Sequence, residues 1–178
     1  VRGSARNRED LWGYSDYLMV AWKPKEKTKP TQHLVVIGVN QYSGNTFSSL
    51  QYAVPDAKLF QESLVSKSRN LYGKTEVYEL YDEAATREGI RTLLKNVATK
   101  VKPENGDVLI LFFAGHGVNV DNQYYFIPAK YSGDASKSAL DSGAFPQTML
   151  VDLVSAIHAE KKLIVLDSCQ SGGSEWEG

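Results

Sequence analysis

The chain has 178 residues, with 20 basic against 21 acidic side chains and the apolar fraction of a soluble globular protein. That length can bury a core without disulfides or structural metals. Nearly cancelled charge predicts no nucleic-acid or membrane surface, and the longest strongly apolar run, residues 108–114, is far too short to cross a bilayer.

In chain order, residues 1–31 read as a polar extension ending in a charged linker, Lys23-Pro24-Lys25-Glu26-Lys27-Thr28-Lys29-Pro30. Within it Trp12, Tyr14, Tyr17, Leu18, Met19 and Trp22 predict docking on an apolar surface. The chain opens on Val rather than Met and shows no signal peptide, so its true start is expected upstream. A regular pattern then begins. Leu34-Val35-Val36-Ile37-Gly38-Val39 is a continuous apolar run, as in a strand buried on both faces. Ala57, Phe60 and Leu64 recur at helical spacing, with Pro55 suited to the first turn. Residues 77–81 read as a second strand. Thr86 is placed to cap a helix with the apolar face Ile90, Leu93, Leu94, Val97 and Val101. Asn105-Gly106-Asp107 makes a turn before the strongest strand, residues 108–113. Residues 123–127 predict a short hairpin strand, and residues 131–146 an exposed loop. Leu150, Leu153, Val154 and Ile157 mark a further helix, and residues 163–166 a fourth core strand. Strands alternating with helices predict an α/β fold, a mostly parallel sheet with helices on both faces. In such sheets function gathers at the carboxyl ends of the strands.

Two core strands end in sequences that carry chemistry, Phe112-Phe113-Ala114-Gly115-His116-Gly117 and Val165-Leu166-Asp167-Ser168-Cys169-Gln170-Ser171-Gly172-Gly173. Parallel strands bring His116 and Cys169 to one edge of the sheet. An ordinary thiol is only a few per cent thiolate at neutral pH. A neighbouring imidazole raises that fraction and later protonates a leaving amine. Glycines beside His116 permit close backbone approach and expose N–H groups able to stabilise an oxyanion. The plainer readings are a buried structural cysteine and a glycine turn. A lone cysteine excludes an intrachain disulfide and a multi-thiolate zinc site, and the three histidines have no metal-ligand spacing. It fits a reducing compartment, and a cytoplasmic location is expected. After the first strand, no G-x-G-x-x-G loop is present to cradle a phosphate.

At these residues the sequence resembles the caspase-like cysteine peptidases, in particular the metacaspase and orthocaspase branch. Three segments carry the likeness: Leu34 through Tyr42 with Leu50 and Pro55-Asp56-Ala57, then Phe113-Ala114-Gly115-His116-Gly117, then Asp167-Ser168-Cys169-Gln170-Ser171-Gly172. The resemblance implies a caspase-hemoglobinase fold, with residues 32–178 forming the large (p20) portion of a catalytic domain. A smaller p10-like segment or subunit, absent here, would complete the substrate groove. It implies Cys169 as nucleophile, His116 as general base and acid, and the backbone N–H groups of Gly117 and Cys169 as oxyanion donors. Asp56 and Asp167 match acidic residues lining the S1 pocket. Caspases that cut after Asp carry Gln-Ala-Cys, whereas Asp167 stands two before the cysteine here. A carboxylate there repels aspartate and pairs with arginine, so cleavage after Arg in preference to Lys is expected. The plainer readings are a dipole-favoured helix acid for Asp56 and a hydrogen-bonded strand-end residue for Asp167. Gln170 stands where metacaspases usually have His, and Ala114 where many have Ser. No cofactor or metal is expected, calcium activation being left open. Protein or peptide substrates are expected, with no nucleic-acid or membrane partner. The competing reading is a non-catalytic interaction module on the same fold.

Overall fold

The computed structural model describes residues 4–10, 12–14 and 29–171. The extension contributes an antiparallel hairpin, β1 (Ser4–Arg6) and β2 (Trp12–Tyr14), in which the Arg6 guanidinium lies 5.5 Å from the Trp12 ring centroid. Trp12 is 55% exposed. Tyr17, Leu18, Met19 and Trp22, and the linker up to Thr28, lie outside the described residues.

The main sheet has six strands. β3 (Thr31–Gly38) pairs in parallel with β4 (Lys74–Tyr81) on one side and β5 (Val108–Val120) on the other. β8 (Lys161–Ser171) runs parallel to β5 along its other edge. Beyond the end of β3, the antiparallel strand β6 (Gln123–Phe126) takes over as the neighbour of β5, and β7 (Phe145–Pro146) pairs with β6. β3 is buried almost throughout, because helices cover both faces and every side chain of the apolar run finds a core.

α1 (Ala53–Ser68) covers one face, where Ala53 and Ala57 pack with Leu34, Val36, Ile110 and Phe112. α2 (Arg87–Ala98) and α4 (Gln147–Ser155) cover the other. There Ile90, Leu94, Leu150 and Val154 meet Leu111 and Phe113. Thr86 caps α2 as its position predicts, its Oγ1 accepting the Gly89 N–H at 2.9 Å. Sheet order and helix placement bear out the mostly parallel α/β architecture expected from the sequence.

One element departs from expectation. Residues 131–146 are not an exposed loop: they contain α3 (Lys137–Gly143), and Tyr131, Leu140, Ala144 and Phe145 are buried. Tyr131, Leu140 and Ala144 pack with Val118, Tyr125 and Ile127, flooring the β5–β6 ribbon. A seven-residue helix rich in Ser, Asp and Gly shows too few apolar positions for a helical period to emerge.

Candidate active site

Every strand that pairs in parallel ends at the same edge of the sheet, and the candidate residues gather there. β3 stops at Gly38, opposite Ala114, and β6 begins its pairing at Gly117, opposite Phe126. Between these points Gly115 and His116 have no strand partner on that side. The gap is filled by the loop of residues 40–52. Tyr42 Oη accepts the His116 N–H at 2.8 Å and donates to the Val39 carbonyl at 3.2 Å. Burial pushes the Tyr42 phenol well above its ordinary range, so it remains a neutral donor and acceptor.

The same loop holds the His116 ring. The Tyr42 and Phe47 rings lie 4.9 and 5.5 Å from it, centroid to centroid. Nε2 sits 2.8 Å from the Ser48 carbonyl oxygen. A carbonyl only accepts, so Nε2 carries the hydrogen and Nδ1 of the neutral ring keeps its lone pair.

Cys169 lies on β8 in direct register with His116. Neighbouring strands are about 4.8 Å apart, so the two backbones sit side by side. The next peptide group also bears on the site. The His116 carbonyl accepts the Ile127 N–H at 3.0 Å, toward β6. In a trans peptide the following N–H points the opposite way, so the Gly117 N–H is directed toward β8 and Cys169. Gly117 must be glycine: a Cβ there would lie 2.5 Å from Tyr124 Oη. That hydroxyl is 2.6 Å from Ser168 Oγ, pinning β8 one residue before Cys169, and burial raises the Tyr124 phenol to about 12.

The two acids share one face. Asp167 pairs with Ala114 and follows Val165 by two, so strand alternation sets it on the α1 side of the sheet, where it is exposed. Asp56 is exposed in the first turn of α1. That turn sits directly over Gly38, where a Cβ would be 3.1 Å from Val54 Cα. Gly38, Ala114 and Asp167 lie in line across three strands, so about 10 Å separates the strand beneath α1 from Asp167. Among the described residues neither carboxylate has an ion-pair partner. Both carboxylates are thus exposed on the α1 side of the sheet, toward the strand ends that carry His116 and Cys169. Tyr42, Phe47, Ser48, Tyr124 and Ser168 carry no assigned role in the sequence reading. Of these, Tyr42 and Ser168 had a signal there, as members of the segments that carry the resemblance.

The model of one protein family, the caspase domain of peptidase family C14, matches residues 31–178. No curated protein sequence is significantly similar to the chain. Among solved structures, the fold is similar to that of protein GSU0716 from Geobacter sulfurreducens, with a TM-score of 0.57 and 17% sequence identity. The match covers 81% of this chain and 52% of that one, so the chain spans about half the length of its structural relative.

Proposed function

The chain belongs to the caspase-domain family of peptidases, and from that premise we propose that it is the large portion of a cysteine endopeptidase that cleaves after basic residues, Arg before Lys. The observation carrying the proposal is the register that sets Cys169 beside His116, with the His116 ring already in the Nε2–H tautomer.

In this reading Nδ1 of His116 takes the Cys169 thiol proton, and the thiolate attacks the scissile carbonyl carbon. The Gly117 and Cys169 N–H groups, which here lie within the β5–β8 ladder, receive the oxyanion once the end of β8 turns away from β5 to admit substrate. The imidazolium returns its proton to the leaving amine, and water then hydrolyses the thioester with His116 again as base. Asp56 and Asp167 line the groove that takes the substrate guanidinium. Arg outranks Lys because its planar fork reaches two carboxylate oxygens at once.

A p10-like segment or subunit completes the groove. Among the described residues β8 pairs only with β5, and Leu163 on its α1 side is 51% exposed. The chemistry itself needs no cofactor. A thiolate nucleophile suits the reducing cytoplasm and a role in regulated proteolysis, such as defence, stress response or programmed cell death.

The test is an assay of the complete protein on fluorogenic peptides ending in Arg, Lys or Asp, with and without calcium, beside Cys169→Ala. Cleavage after Arg and Lys, lost in the variant, is the expected result. Cleavage after Asp would remove the pocket role of Asp56 and Asp167. No Cys169-dependent cleavage, together with no rapid iodoacetamide labelling at pH 6, would leave an interaction module on a caspase fold.

A further inference from the structure

We infer that Asp82 is a positioning residue for the His116 base, acting at a distance through the loop of residues 40–52. The inference rests on the catalytic role proposed for His116.

Asp82 is the first residue after β4 and has φ +43, in the left-handed region that side-chain-bearing residues rarely adopt. Such a conformation persists where its surroundings hold it in place. Here its carboxylate does the holding: one oxygen, Oδ1, accepts both the Asn40 N–H at 2.7 Å and the Gln41 N–H at 2.9 Å. These are the amides at which the chain leaves β3. Hydrogen bonds to a charged acceptor are the stronger kind.

Asn40 then closes the other end of the loop. Its carbonyl accepts the Leu50 N–H at 2.8 Å, its Oδ1 accepts the Val54 N–H at 3.0 Å, and its Nδ2 donates to the Gln51 carbonyl at 3.3 Å. The base of the loop is therefore tied to a single residue, Asn40, whose N–H Asp82 holds. The Tyr42 hydroxyl, the Phe47 ring and the Ser48 carbonyl, which orient His116 from this side, all lie on the loop that this base closes; between them the Ser43 N–H and the Thr46 hydroxyl add bonds to the Ala129 and Gly133 carbonyls. A carbonyl cannot be positioned by its own side chain, so the loop's anchors, the Asn40 base among them, set its place. Asp82 touches neither the His116 ring nor the groove.

The test combines kinetics with nitrogen-15 NMR of the histidine rings in the complete protein, His116 being assigned by its loss in His116→Ala. Wild type should show His116 as a single Nε2–H tautomer with a slowly exchanging ring proton. In Asp82→Ala that proton should exchange fast and the ring average between tautomers. The rate constant kcat should fall about 10- to 100-fold with KM little changed, as expected for a misplaced base. Asp82→Asn, which tolerates the left-handed conformation and keeps an acceptor, should restore most of both signals. Should Asp82→Ala fail to fold, Asp82→Ser is read in the same way, its hydroxyl being too short to span both amides. Unchanged His116 ring signals in a folded Asp82→Ala or Asp82→Ser protein would overturn the inference. So would a loss matched by Leu94→Ala, a core change remote from the loop. The NMR arm needs no turnover, so absence of peptidase activity in the wild type would count against the proposed function and not against the link from Asp82 to the ring.

Discussion

At Gly115 the backbone takes φ +155 and leaves no space for a side chain: a Cβ would sit 2.9 Å from Tyr42 Oη and 3.2 Å from a Phe126 ring carbon. The same hydroxyl receives the His116 N–H, so a methyl at Gly115 strains the backbone and displaces the group that seats the next residue. Gly115→Ala should therefore cost about 1–3 kcal/mol of stability, read from denaturant melts. Activity in kcat/KM should fall further than that stability loss accounts for. A variant that loses stability but keeps its rate would show that Tyr42 is not needed to seat His116. The sequence made His116, Cys169 and the glycines around them legible, because each motif closes a strand whose apolar run is unmistakable. Ser48 was not legible, for a physical reason. It contributes a backbone carbonyl, which every residue type possesses, so nothing in its identity marks the role. Tyr124 was hidden differently: its contact with Ser168 joins residues 44 apart, and only the pairing of β6 and β8 along β5 brings them together.

Elements with a strong period were readable in advance, and α2 is the clearest. Its apolar positions repeat at three and four residues, and Ile90, Leu94 and Val97 are all fully buried. The start of α2 is fixed by one side chain, Thr86, whose Oγ1 satisfies the Gly89 N–H. Thr86→Ala should cost about 1 kcal/mol, read as a lower urea midpoint with an unchanged slope, and Thr86→Ser should recover most of it. An unaltered midpoint would mean that packing alone sets where α2 begins. α3 failed to register in the sequence because its stability is not its own. Ser136 caps it, yet only Leu140 within it is fully buried, and its place is set by the Tyr131 and Tyr125 rings above. Short helices of this kind follow tertiary packing rather than propensity. β8 shows the opposite failing: its apolar core, residues 163–166, predicts four residues, whereas the strand extends to Ser171 because β5 offers a partner along its whole length.

At the scale of the whole sheet, the proposed chemistry and a polar cluster that supports stability lie at opposite ends of the same strands. His116 and Cys169 lie at the carboxyl ends. At the amino ends a buried polar cluster ties three strands together: His33 Nε2 lies 3.2 Å from Asp107 Oδ2, and its Nδ1 lies 3.1 Å from Tyr78 Oη, which donates to Glu76 at 2.5 Å. Burial pushes the Asp107 carboxyl up, but the Thr31 and Lys102 amides and His33 outweigh it and hold it below its usual range. At Glu76, hydrogen bonds from Lys74 first and Tyr78 second pull the carboxyl from 4.5 down to about 2. A carboxyl whose folded-state value is depressed binds its proton more readily when the chain is unfolded. Its stabilisation is therefore complete above pH 4.5 and drains away as the pH falls through about 2. About a quarter of the Glu76 side chain is open to solvent, so screening keeps the effect below about 1 kcal/mol. Glu76→Gln should flatten the fall of melting temperature across that acid range. The pH profile of kcat/KM should stay in place, because the proposed His116–Cys169 pair lies a full strand length away. If the activity profile moved with Glu76→Gln, the two ends of the sheet would be coupled. The buried strand β3 between them would then be the element that transmits the change.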